Sequence, residues 1–213
     1  LNIQQLMTIN HDKKLIFIHI PKNAGTSIIK AMGVENSYFD KTIEEYKEYY
    51  KDYWNDYLKF TVVRDPIDRF ISAYKFARMK ESGWFSSTGE EGLEKHPHYE
   101  LASSMDINEY VLYLYKNPSK FDRWTIPQTF IITNKDEKRE IDYYVRYENL
   151  LEDLKKIGID KIERLNSSKI NDEKMIDLTK KSKNMLYEVY DIDYKNFSYN
   201  KDVKSTFSYF FYE

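Results

Sequence analysis

Two groups of residues in this chain have the types and spacing to handle phosphate. The first is Pro21-Lys22-Asn23-Ala24-Gly25-Thr26-Ser27, which sets a lysine, a glycine and two hydroxyls within seven residues. Lysine supplies a compact, mobile positive charge, and glycine lets a backbone approach a ligand closely. If a helix starts here, its first N–H groups lack partners and lie at the positive end of its dipole, which suits an anion. The second group is Arg64 with Ser72, eight residues on. A guanidinium grips phosphate through paired, charge-assisted hydrogen bonds, and a hydroxyl adds another. Read alone, Arg64 serves equally well as a partner for Asp65 or Asp68. The first stretch is not the common nucleotide loop GxxxxGK[ST], because Lys22 precedes Gly25.

The flanking residues say which elements must position these groups. Leu15 to Ile20 is a short β-branched run stopped by Pro21, which predicts a buried strand. Ile16, Ile18 and Ile20 share one face; Phe17 and His19 share the other, where His19 reads as structural. Ile28, Ile29 and Met32 then fall at helical spacing, with Gly33 as a stop. Lys59 to Arg64 predicts a second buried strand. Asp65 and Pro66 are a cap and first residue for a helix reaching about Lys80, with Ile67, Phe70, Ile71 and Tyr74 as its core stripe and Arg69 on its surface.

Helices are also expected over Asn36 to Tyr57, Asp106 to Asn117, Glu148 to Ile157 and Asn171 to Tyr190, and strands over Thr129 to Thr133 and Ile141 to Tyr147. Ser82 to His98 has three glycines and no periodicity, and reads as a lid over the site. The aromatic tail, Phe197 to Tyr212, is expected to pack across the body. Alternating strands and helices predict an α/β fold: a P-loop-NTPase-like parallel sheet flanked by helices on both faces, in a single domain over residues 1–213. Ligands of such sheets bind at the carboxyl ends of the strands. Lys22 and Arg64 each follow a strand directly, so one crevice should hold both.

Composition narrows the partners. The 213 residues include 33 Lys plus Arg and 35 Asp plus Glu, a net charge of −2, so no global basic field points to nucleic acid. Any anion site is local. With no cysteine there is no disulfide, thiolate metal site or thiol nucleophile, which fits a cytoplasmic compartment. No signal-peptide pattern and no apolar run of roughly 20 residues is present, so no membrane span is expected.

The order Pro-Lys-x-x-Gly-Thr-Ser after a strand resembles the 5′-phosphosulfate loop of sulfotransferases that use 3′-phosphoadenosine 5′-phosphosulfate. Phe60 to Tyr74, FTVVRDPIDRFISAY, resembles their 3′-phosphate motif. Together the motifs look most like the carbohydrate group that includes the heparan 2-O- and chondroitin enzymes. Trp124 to Gln128 resembles that group's W-x-x-P-Q segment, Tyr144 to Leu154 its Arg-aromatic-Glu-Asn-Leu element, and Tyr187 to Tyr199 its acidic-aromatic ending. The resemblance implies a sulfotransferase acting on a hydroxyl of a sugar or small polyol, with no metal. It places Lys22 on the bridging oxygen, Asn23, Gly25, Thr26 and Ser27 on the 5′-phosphate, Arg64 and Ser72 on the 3′-phosphate, and Tyr147 near adenine.

The general base departs from the family pattern, because no histidine lies between Ser27 and Phe60. Asp40 occupies the matching place. Glu44, Glu45, His96 and His98 are alternatives. Two other readings stay open: a phosphotransferase with a similar loop, and a nucleotide-binding module without catalysis.

Overall fold

The computed structural model describes residues 8–34, 41–79, 96–163 and 176–201. Asp40, the Ser82 to His98 loop as far as residue 95, and the tail beyond residue 201 lie outside the described residues. Four strands form one sheet in chain order: β1 (Ile9–Asn10), β2 (Leu15–Phe17), β3 (Leu58–Val63) and β4 (Tyr143–Arg146). β1 is antiparallel to β2, while β2, β3 and β4 are parallel, with Phe17 opposite Phe60 and Phe60 opposite Tyr143. Past the end of β2 the chain still tracks β3: the Ile18 N–H donates to the Phe60 carbonyl (2.8 Å), and the Thr61 hydroxyl to that of Ile18 (2.7 Å).

Alternation along the strands builds a core on each face. Ile16, Ile18, Ile20 and Val63 pack with Ile43 and Tyr46 of α2 (Ile43–Tyr49) and with Ile131 and Ile132 of α6 (Gln128–Ile132). Leu15, Phe17, Phe60, Val62 and Val145 pack on the other face with Ile28 and Ile29 of α1 (Gly25–Ala31) and Leu154 of α7 (Leu150–Lys155). A third cluster joins α3 (Pro66–Ala77), α4 (Tyr99–Ser104), α5 (Ile107–Lys116), α8 (Lys180–Val189) and α9 (Asp191–Phe197) through Phe70, Tyr74, Ala102, Tyr110, Leu186 and Tyr194. The expected α/β architecture is present. Among the described residues no helix is long and apolar enough to cross a membrane.

Four expectations need correction. Thr129 to Thr133 is not a strand, because Gln128–Ile132 forms α6. The buried Asp193 carboxylate of α9 accepts the N–H groups of Gln128 and Thr129 (2.8 Å each), a helix start supplied from 65 residues away. The core stripe of α3 is Arg69, Phe70, Ala73, Tyr74 and Ala77, while Ile67 and Ile71 are half-buried. Arg69 is therefore not a surface residue. Its burial rests on three carbonyl partners, which an apolar pattern does not register. The helix expected over Asn36 to Tyr57 is reduced in the described part to α2, whose N-terminus is a Thr42–Glu45 capping box, and the chain turns after Tyr50. In the described part of Asn171 to Tyr190, from residue 176 on, the helix begins at Lys180, where the Thr179 hydroxyl accepts the Ser182 N–H.

Asp193 ties α9 to α6 by four hydrogen bonds of 2.8–3.4 Å, to Gln128, Thr129 and the Thr129 hydroxyl. Asp193→Ala leaves those buried donors without partners, and we expect a loss of roughly 2–4 kcal/mol in urea unfolding. Asp191→Ala, which removes only an exposed pairing with Lys195 and Lys201, should leave the urea midpoint nearly unchanged.

Candidate active site

The loop after β2 is held in an unfavourable backbone shape. Lys22 (φ +72°) and Ala24 (φ +62°) both occupy the left-handed region despite carrying a Cβ, at a cost on the order of 1 kcal/mol or more each. Neighbouring contacts hold them there. The Pro21 carbonyl accepts Arg69 Nε (2.9 Å), and the Lys22 carbonyl accepts Arg64 Nη1 (3.1 Å). The buried Asn23 amide donates to the Val62 carbonyl and to Gln128 Oε1, at 2.7 Å each. Gly25 has no alternative. A Cβ there would stand 2.2 Å from His19 Nε2 and 2.4 Å from Cδ2, so His19 is the floor on which the loop lies.

Arg64 comes beside the Lys22 loop, as the strand order implies. The residue directly follows β3, with its guanidinium 4.1 Å from the Tyr147 ring centroid and a relative exposure of 8%. It forms no ion pair within the described residues: Asp65 caps α3 instead, accepting the Asp68 N–H at 3.0 Å. Arg64 Nε is a buried donor with no partner among the described residues. Lys22 lays its ammonium on the face of Phe76 from α3, 3.8 Å from the centroid. Burial, reinforced by the positive charges of Arg64 and Arg69, lowers the Lys22 pKa from 10.5 to about 7.

Arg69 is the residue that apolar patterning misplaced. It is 1% exposed, and it donates to the Pro21, Ile126 (2.7 Å) and Arg123 (3.0 Å) carbonyls. Gln128, Asp193 and Asp122 were also not singled out by role. Gln128 lies in the W-x-x-P-Q segment, and that match was the one signal pointing to it. Its amide accepts from Asn23 and from the Arg64 N–H (3.0 Å), and donates to the Arg64 carbonyl (2.8 Å).

The remaining candidates are placed as follows. Thr26 is half-buried and Ser27 buried at the start of α1, and Ser72 is half-buried on α3. Tyr147 faces Arg64. Glu44 accepts the Lys135 N–H (2.6 Å), and Glu45 accepts that of Thr42 (2.8 Å) beside Lys41. Hydrogen bonding, led by the Thr42 N–H, holds Glu45 below the usual carboxylate range. Desolvation raises Glu44, but hydrogen bonds from its own N–H and that of Lys135 outweigh it. His96 is buried edge-on to Phe76 (5.9 Å) and Trp124 (5.4 Å), and its ring lies 5.6 Å from that of His98. Among the described residues, no group of three or more His, Cys, Asp or Glu side chains is placed to hold a metal ion.

The sheet and the loop leaving β2 define a P-loop-like α/β protein. Residues 5–200 match the model of the sulfotransferase family, and the chain belongs to that family, whose general chemistry is sulfuryl transfer. No curated protein and no solved structure matches it.

The lowered Lys22 pKa has a testable sign. The unfolded chain keeps its proton up to about pH 10.5, whereas the folded chain releases it near pH 7. The penalty of burying Lys22 is therefore full below pH 7 and fades as the pH climbs toward 10.5. Lys22→Met should raise the melting temperature most at pH 6–7, with the gain shrinking by pH 9–10. A gain that is constant with pH would show that Lys22 is not strained by its charge.

Proposed function

We propose that the chain transfers a sulfuryl group from 3′-phosphoadenosine 5′-phosphosulfate to a hydroxyl of a carbohydrate or small polyol. One observation carries the reading: a buried arginine with an unpartnered Nε ends the central strand, bonded to the carbonyl of the lysine in the neighbouring loop. A buried donor without a partner is costly unless a ligand fills it. Two separated cations, Lys22 and Arg64, match a nucleotide with phosphate at both its 5′ and 3′ positions.

In this reading Arg64 and the Ser72 hydroxyl take the 3′-phosphate, with Tyr147 steadying the guanidinium and bordering the adenine. Gly25, Thr26 and Ser27 take the 5′-phosphate through the start of α1. Asn23 contributes through its main chain, because its side chain is committed to Val62 and Gln128. Lys22 stabilises the negative charge that grows on the bridging oxygen as the S–O bond breaks. No metal is required. Asp40, the base candidate by sequence position, stays a proposal, and the carbohydrate acceptor rests on the resemblance of the motifs.

Calorimetry tests the donor. We expect 3′-phosphoadenosine 5′-phosphate to bind at least about 10-fold more tightly than AMP or ATP, since one charge-assisted phosphate grip is worth roughly 1.5–3 kcal/mol. Arg64→Ala should remove most of that preference, and equal affinity for the bisphosphate and AMP in the wild type would overturn the reading.

Turnover tests Lys22. Lys22→Ala at saturating donor should lower kcat by about 100-fold or more, because the interaction strengthens only as charge develops. Lys22→Arg should restore donor binding better than rate. Near-wild-type kcat in Lys22→Ala would reduce Lys22 to a binding residue.

A further inference from the structure

We infer that Phe76 is a positioning residue for sulfuryl transfer: its ring, on the helix that also holds the lysine's main chain, keeps the Lys22 ammonium in place without neutralising it. The inference rests on the role proposed above for Lys22.

One helix grips both ends of one lysine. Arg69 Nε of α3 donates to the Pro21 carbonyl (2.9 Å), part of the peptide group that joins Pro21 to Lys22. Seven residues on, the Phe76 ring carries Lys22 Nζ 3.8 Å from its centroid, well inside the roughly 6 Å range of such contacts. Positions 69, 72 and 76 stand at i, i+3 and i+7 of α3, so they form one stripe, with Ser72 between the two grips. Main chain and ammonium are thus fixed against the same rigid element. Arg69 is fixed in turn by the Ile126 and Arg123 carbonyls. The Phe76 ring meets His96 at 81° and 5.9 Å, and His96 packs against Trp124. Burial lowers the His96 pKa to about 4 against the pull of Asp122, with His98 and Lys22 adding, so His96 brings no charge to the ring.

An aromatic ring does here what a carboxylate could not. Among the described residues the Lys22 ammonium has no ion pair and no hydrogen-bond acceptor, and it rests on the Phe76 face. A carboxylate in that place would cancel the charge and compete with an incoming phosphate. The quadrupole of a ring attracts the cation, most strongly where water is excluded, and leaves its net charge intact. The N–H groups pointing away from the ring stay uncommitted. Phe76 acts only through Lys22, by limiting where the ammonium stands as charge appears on the leaving oxygen. Loss of that placement costs rate more than binding.

The ring also favours the charged form of the lysine. Facing Lys22 are Arg64 after β3, Arg69 in α3 and His96 ahead of α4. Burial and the two guanidiniums already bring the Lys22 pKa down to about 7. Weakening the ring destabilises the ammonium further, so the pKa moves lower and the alkaline limb of the rate profile follows it down.

The test uses the full chain with 35S-labelled donor and with glycerol and N-acetylglucosamine as hydroxyl probes. Phe76 is replaced by phenylalanines carrying one, two or three ring fluorines, which keep its shape while weakening its face. At pH 6 and saturating donor, log kcat should fall in step with the ring's affinity for a cation, by about 10-fold across the series. Bisphosphate affinity in calorimetry at the same pH should change less than kcat. Phe76→Leu should resemble the most fluorinated ring, and Phe76→Tyr, which restores a π face, should keep most of the rate. Lysine 15N NMR of the ligand-free chain should find the Lys22 pKa falling along the same series, a readout that needs no activity. Either kcat or the Lys22 pKa staying flat across the fluorines overturns the inference while leaving the sulfotransferase reading standing. A wild-type chain that binds no bisphosphate and transfers no label overturns both.

Discussion

The placement of the Lys22 loop against Arg64 depends on one buried amide. Gln128 presents its carbonyl to the Asn23 amide and the Arg64 N–H, and its own amide donates to the Arg64 carbonyl. The lysine loop and the arginine strand end are therefore registered against the same side chain. Gln128 is placed in turn by Asp193, which accepts its backbone N–H at 2.8 Å from α9. These groups are buried, where an unmade hydrogen bond is expensive, and among the described residues only Asn23 Oδ1 and Arg64 Nε of the set lack a partner. Residues 23, 64, 128 and 193 thus fix the relative position of two elements that are 42 residues apart in sequence. A shorter side chain at position 128 could not span the gap, and a hydrophobic one would leave three polar partners stranded.

On this frame the protein crowds positive charge. Lys22, Arg64 and Arg69 lie close enough for the two guanidiniums to depress the lysine, and none of the three forms an ion pair within the described residues. Arg69 is satisfied by three carbonyls, which fix its position without cancelling its charge. Carboxylates nearby are occupied elsewhere: Asp65 caps α3, and its own pKa is raised to about 6 by burial, with Asp68 and Glu148 adding. The folded state therefore carries electrostatic strain, which the bisphosphate proposed above would relieve. Such preorganisation spends stability so that a bound anion meets fixed donors instead of water.

Much of this was legible in the sequence, for reasons that particular residues make clear. The Ile16–Ile18–Ile20 and Phe17–His19 alternation placed β2 correctly, and Asp65-Pro66 marked the start of α3, because both signals are local. Thr129 to Thr133 read as a strand since Ile131, Ile132 and two threonines favour one; its helix is imposed by Asp193, which no window of sequence contains. Arg69 looked solvated because arginine usually is. Its burial depends on carbonyls contributed by three separate segments. That Arg64 comes beside the Lys22 loop was legible too, since strand ends of a parallel sheet share one edge. The amide that aligns them was visible only as part of a motif match.

The glycine at position 25 shows why loop and strand cannot be considered separately. Its missing side chain is usually read as room for a ligand, yet here the space is taken from below by the His19 ring, which would overlap a Cβ. His19 comes from the strand that delivers the loop, and its N–H donates to the Tyr46 hydroxyl of α2 at 3.1 Å. The ring underneath and the Asn23 anchor beside it leave the backbone of residues 22–25 little freedom to relax its two left-handed residues. The strain is thus supported by packing beneath and beside the loop. A loop built this way holds its shape before any anion arrives, which is the condition under which backbone donors act without reorganising.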